Sequence, residues 1–584
     1  MRKYRIFIAA FAAMTLTILA QEEATPDTIL QREVTVEREF QPIIQHAGKL
    51  SVNPQRLETQ LQPVDVKYST YANALQTTFN FNTLDCSLTN FTYARPTHNY
   101  LEGALGHPLT RLHFNYRLQP HRTIQMNLYA HHNGQWGRRT WTDTQIGMNL
   151  TKQYSEFQLY FDVAGANRFY TRYGRYYDFN DGLTIKHYSD LSKADKQALF
   201  MVSANVGLRS RKGNDFQWRV QTGYAALIAP EVAAEHFVRT HANIDYAFDL
   251  HHAGLNLFVQ NALYSISPKQ TLNPALYNGR HGIRIEPFYA YNGERVRVHA
   301  GVNLDFNIGK GQMMSGSKDI SFAPSPNVEV EYRILPELLA LYGGAKGRYS
   351  FGTLEGYLNM NPYLRLIPGI TSHHVSAYTP VDAFLGFKIH PVSTLLINVY
   401  AHYAVQKNQA VFLAPDAAYL AANPDAYLDY FYSDWQQWRV GAEITYHYQD
   451  IIHILLAGNW YLNYQDKVEV PTATAAAIPT LSVTPNTAYD RPSWDLHLRI
   501  DANINSKWAL YSDNIFAGKR TALTTNGDVV LKPTIDLRLG ASYTINTWLK
   551  VYLELNNLLN RHNDIFYTYQ SIGINGVAGV KWQF

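Results

Sequence analysis

Three adjacent histidine pairs, His131 with His132, His251 with His252 and His373 with His374, are the first residues of this sequence to suggest chemistry. Imidazole is a common ligand for zinc and related ions. Neighbouring residues on an extended chain point to opposite faces, however, so no such pair can chelate a single ion. The chain has no HExxH, no GxSxG and no zinc-type cysteine and histidine spacing. The run Gly573, Gly576, Gly579 mimics a phosphate-binding loop, but no helix follows it to supply the N–H groups. The 22 histidines read more simply as half-apolar residues of a polar wall. An enzyme is not expected, and no metal or cofactor is implied.

A second set of residues is more regular. Asp495, Arg499 and Asp501 lie in SWDLHLRIDANI, Asp536 and Arg538 in TIDLRLGASYTIN, and Lys550 and Glu554 in LKVYLELNN, each alternating with apolar residues. Such charges either stiffen a wall through salt bridges and hydrogen bonds or line a lumen that selects solutes. Interleaving of both signs favours the structural role.

The elements that carry these charges are strands with two unlike faces. Ile535, Leu537, Leu539, Ala541, Tyr543 and Ile545 alternate with Asp536, Arg538, Gly540, Ser542, Thr544 and Asn546, the period of two of a strand between different environments. The same pattern recurs in WRVGAEITYHY, RVRVHAGVNLDFN and VRTHANIDYAFDL. These segments are about twice as long as globular strands and match the roughly 9 to 11 residues of a tilted membrane crossing. Short linkers near Asn546, Ser506, Asp450, Pro391, Pro336, Gly293 and Gly254 alternate with long connections at 165–198, 266–280, 361–379, 406–434 and 465–491. Short periplasmic turns and long external loops define transmembrane barrels. The expected fold is all-β, a closed antiparallel transmembrane barrel of roughly 22 strands, with 18 to 22 compatible. GTLEGYLNMNPYLR fits a short helix in an external loop.

Composition agrees with a membrane barrel: charged residues are 17% and aromatics 14%, and the net charge of +4 is spread without a basic stripe. Nucleic acid is not an expected partner. Arg2, Lys3 and Arg5 precede the apolar stretch from Ile6 to Ala20, a signal peptide for export to the periplasm. The expected organisation is a signal at 1–20, a periplasmic arm at 21–95 and a barrel at 96–584. Cys86, the single cysteine, can form no internal disulfide.

The last alternating stretch sets Val580, Trp582 and Phe584 on one face. It resembles the C-terminal sorting signal of Gram-negative outer-membrane barrels, which implies recognition by the barrel-assembly machinery and residence among outer-membrane lipids. ELNNLLNRHNDIFYTYQSIGINGVAGVKWQF resembles the end of TonB-dependent receptor barrels, and Glu33, Val34, Thr35 and Val36 in DTILQREVTVEREF are similar to a TonB box. The resemblance implies solute passage or uptake, with TonB or an outer-membrane lipoprotein as candidate partners. Only about 75 residues separate the signal from Tyr100, so the resemblance is to a receptor or porin-like barrel without the usual plug. The alternative is a structural or accessory barrel subunit of an outer-membrane complex, with its external loops as docking surfaces.

Overall fold

A computed structural model describes residues 99–584, except position 138 and segments 175–176, 179–183, 186–194, 212–214, 231–232, 267–278, 310–321, 336–337, 365–375, 417–418, 420–428, 450, 466–482 and 485–486. The expected signal, the arm 21–95 with Cys86, and the TonB-box-like Glu33, Val34, Thr35 and Val36 lie outside the described residues.

Alternation becomes a closed wall. One sheet contains 24 strands; two of them, Arg520–Thr524 and Gly527–Leu531, form a hairpin branching from it, and the remaining 22 make an antiparallel barrel. The ring closes where Tyr100–His107 pairs with Asn575–Gln583, Tyr100 opposite Gln583 and His107 opposite Gly576. Closure leaves no unpaired strand edge in contact with lipid, where each unsatisfied backbone group costs several kcal/mol. The strand number and architecture agree with the sequence expectation.

The two faces separate as the pattern requires. Leu539, Leu553, Val580 and Trp582 are exposed on the outside, whereas Arg538, Ser542 and Glu554 are buried within. Trp494 opens the strand Trp494–Asn503, Trp508 opens the next, Trp508–Ala517, and both indoles are exposed. The two strands are antiparallel, so the indoles stand at opposite rims of an apolar belt one strand of 10 residues high, the spacing of aromatic girdles.

At one rim the connections are tight, as between Asn546 and Leu549 or Val392 and Leu395; at the other most are long, the exceptions being the single Pro108 between His107 and Leu109 and the three positions between Ala229 and Ala233. One expected turn is displaced. Gly254 lies inside the strand His251–Ile266, and the chain reverses between Phe248 and His251. Glycine at this point serves close packing: a Cβ on Gly254 would sit 2.4 Å from the Phe288 ring of the adjoining strand. The same device recurs on the inner face, where Tyr160 lies over its directly paired Gly207, and Tyr552 over its paired Gly579.

The apolar core is at the long-loop end. Leu354–Met360 forms the expected helix, started by Thr353, whose hydroxyl accepts the Gly356 N–H at 3.0 Å, an N-cap that satisfies an otherwise orphaned donor. Tyr357 is 1% exposed and stacks on Tyr430 at 4.8 Å. Leu354, Leu358, Phe412, Tyr432, Phe566 and Tyr569 join the same cluster, to which the hairpin adds Ala522 and Leu531. Apolar residues from several connections thus bury one another within the barrel mouth.

Candidate functional site

The charges singled out in the sequence form short-range pairs along the inner wall. Arg499 Nε donates to Asp501 Oδ2 at 2.8 Å, and Arg538 Nε to Asp536 Oδ2 at 2.9 Å; each pair spans two residues of one strand, which the pleat places side by side. Asp495 accepts from Asn459 Nδ2 at 2.9 Å and from the Tyr461 hydroxyl at 2.7 Å. Lys550 lies directly opposite Lys581 on the neighbouring strand. Glu554 is engaged over a greater sequence distance. Arg111 donates to its two oxygens at 3.0 and 2.8 Å, and Arg111 and Glu554 are 6% and 0% exposed. Glu102 completes this cluster, 3.6 Å from Arg111 and accepting the Tyr552 hydroxyl at 2.6 Å. The group spans the first two and the penultimate barrel strands, beside the closing seam. Glu102 and Arg111 belong to alternating segments, but nothing local to either points to a partner more than 400 residues away.

Val580 and Trp582 occupy the outer face of Asn575–Gln583, and Phe584 packs on Trp582 with ring centroids 4.9 Å apart. The Phe584 N–H donates to the Asn99 carbonyl at 3.0 Å, tying this end to the start of the wall.

Beneath the loop core lies a cavity of about 1520 Å³, larger than the roughly 300–1,000 Å³ of ordinary small-molecule sites. Nine arginine and lysine side chains line it against five carboxylates, together with many amides. Its roof includes Gly356, Leu358, Asn359 and Met360 of the helix, Tyr363, and Phe566. Asp536 and Arg538 are the only two of the sequence-selected wall charges among its lining residues.

The roof is fastened at several points around the wall. Glu235 of Ala233–Phe248 accepts the Leu354 N–H at 2.6 Å. Arg168 and Arg172 of Phe157–Arg172 donate to Asn359 Oδ1 at 2.6 Å and to the Leu364 carbonyl at 3.0 Å. The Tyr432 hydroxyl of Asp429–Tyr448 donates to that of Tyr357 at 3.0 Å. Tyr363 stacks on Tyr569 at 3.9 Å. These anchors lie on well-separated parts of the ring, so the helix-bearing connection crosses the mouth. None was apparent from sequence, because each pairs a loop with a remote strand.

The loops also bury charge. Asp490 donates its backbone N–H to the Thr521 carbonyl at 2.8 Å, joining the connection after Ile452–Gln465 to the hairpin. Burial raises its carboxyl to about 7, against the opposing pull of Arg520 and Arg491. Arg491 stacks over Trp435 at 3.8 Å, and burial lowers its guanidinium to about 10. Glu355 in the helix is likewise raised by burial, opposed by Arg168 and Arg239.

No family model and no curated protein matches the sequence. Solved structures do match the fold. The siderophore receptor PirA from Acinetobacter baumannii aligns with a TM-score of 0.59 at 11% identity, over 83% of this chain and 80% of that one. A mutant of the ferric enterobactin receptor PfeA from Pseudomonas aeruginosa gives 0.58 at 10% identity, over 83% and 80%. The alcaligin outer-membrane receptor FauA from Bordetella pertussis gives 0.52 at 11%, over 84% and 76%. The chain therefore shares the barrel fold of these receptors.

Proposed function

We propose that this receptor-type barrel resides in the outer membrane and takes up a solute through its lumen, without catalysing a reaction on it. The observation that carries the reading is the roofed polar cavity of about 1520 Å³ inside a wall whose exterior is belted for lipid. The fold shared with siderophore receptors supports it. On this reading the tight turns face the periplasm and the long loops face outward. Val580, Trp582 and Phe584 serve as the sorting signal for the barrel-assembly machinery, and Glu33, Val34, Thr35 and Val36 as the contact for TonB. The boundaries at residues 20 and 95 separate signal, arm and barrel.

Single-channel conductance of the refolded chain in planar bilayers tests the reading, with and without residues 21–95. Current in either form, with anions preferred over cations as the excess of basic lining side chains requires, is the expected result. Silence in both forms, from protein that migrates as a folded barrel, would count against passage and favour an accessory subunit.

A further inference from the structure

The helix across the mouth is held by groups of two kinds. Glu235, 2% exposed, accepts the backbone N–H groups of Leu354 at 2.6 Å and Glu355 at 3.5 Å. Arg172, 7% exposed, donates to the Leu364 carbonyl just beyond the helix. Both are shut away from the lumen. Arg168 is different: it holds Asn359 Oδ1 at 2.6 Å and also lines the cavity, with Asp143 at 3.3 Å. One guanidinium is therefore shared between the roof and the space beneath it.

We propose that Leu354–Met360 is a lid unlatched by anionic solute: a carboxylate or phosphate group in the cavity takes Arg168 away from Asn359, and the helix leaves the mouth. Asn359 offers a neutral acceptor. An ionised oxygen forms a shorter bond of roughly twice the strength, and the flat guanidinium fork fits two such oxygens at once. The surplus of basic side chains around the cavity concentrates anions there. A ligand shifts an equilibrium only by binding one state better than the other. With the lid closed Arg168 is divided among Asp143, Asn359 and the anion; with the lid open only Asp143 competes with the anion for it. The difference in affinity thus resides in one named side chain. The remaining holds, Glu235 on the helix start, the Tyr432 hydroxyl on Tyr357 and Arg172 on the Leu364 carbonyl, return the lid when the anion departs.

The proposal rests on the uptake reading for its biological setting, but its test reads lid position and not transport, so the two can fail separately. In the full chain carrying Cys86→Ser, the buried Leu354, 5% exposed and absent from the cavity lining, is replaced as Leu354→Cys. Its modification by a polyethylene-glycol maleimide is timed in nanodiscs with citrate as the anionic probe and glucose as the uncharged control. Retained heat-modifiable migration on gels shows that each variant is folded. Citrate should accelerate labelling about tenfold, and glucose should not. Arg168→Gln should abolish the citrate effect whatever its basal rate, whereas Glu235→Leu, which leaves the Leu354 N–H without its acceptor, should raise the basal rate and keep the citrate effect. Equal acceleration in the Arg168→Gln protein, or none in the parent, overturns Arg168 as the sensor. A basal rate unchanged by Glu235→Leu overturns the latched lid.

Discussion

Among single residues, Glu554 and Arg111 form a buried ion pair in the wall. Both are buried and joined by two hydrogen bonds, a geometry in which removal of Arg111 strands the carboxylates of Glu554 and Glu102. Arg111→Met alone, which takes the guanidinium from two buried carboxylates, should lower unfolding stability by about 3–5 kcal/mol. Glu554→Gln should cost less, because Arg111 keeps Glu102 at 3.6 Å, and the joint Arg111→Met, Glu554→Leu protein should lose less than Arg111→Met. Urea titrations followed by tryptophan fluorescence would measure all three. A double variant as unstable as the sum of the singles would show that the pair is not the unit. Sequence alternation announced that Glu554 points inward, because Leu553 and Leu555 flank it. It could not announce Arg111, since no local rule couples the second strand of a ring to its penultimate one.

For the elements, legibility follows the range of the forces that shape them. Strand faces follow from adjacent residues, and the turn beside Asn546 from a side chain that accepts the Leu549 N–H at 2.9 Å. Gly254 was misplaced because glycine most often punctuates a turn, whereas here the Phe288 ring on a neighbouring strand claims its missing side chain. The helix was readable from its local cap and length, but its position across the mouth depends on strands distant in sequence. The loop that carries Asp490 allows a pH test. Its folded carboxyl titrates near 7 and its unfolded one near about 4, so folding of the loop takes up a proton between these values. The stability due to this group is therefore fully present below about pH 4 and is lost as pH rises through about 7. Hydrogen exchange at the hairpin residues 520–524, corrected for intrinsic rates, should be faster at pH 8 than at pH 5. Asp490→Asn keeps a residue tolerant of its positive φ of 57° and should flatten that dependence; an unchanged pH profile would assign the effect elsewhere.

The whole molecule has an interior and an exterior that exchange the usual roles. Apolar side chains face outward to lipid, charges face inward, and the principal apolar cluster sits in the mouth. Charge placed on the outer face should therefore be penalised by depth. Val580→Arg, on the lipid side, should cost about 2–4 kcal/mol if it lies near the bilayer centre and less toward the rim. Arginine in place of Lys581, on the inward side of the same strand, should be nearly neutral. Refolding yield into lipid vesicles compares the two, and equal yields would mean that the faces have been assigned wrongly.

Ring closure has a consequence in time. Tyr100–His107 hydrogen-bonds to Asn575–Gln583, so the first wall strand to be synthesised must wait, one edge open, until almost five hundred further residues have been made and delivered. Until then no intermediate is both membrane-inserted and free of exposed strand edges. Assembly is consequently a test of completeness: a chain interrupted anywhere before Asn575 has no partner for its own beginning and keeps two open edges.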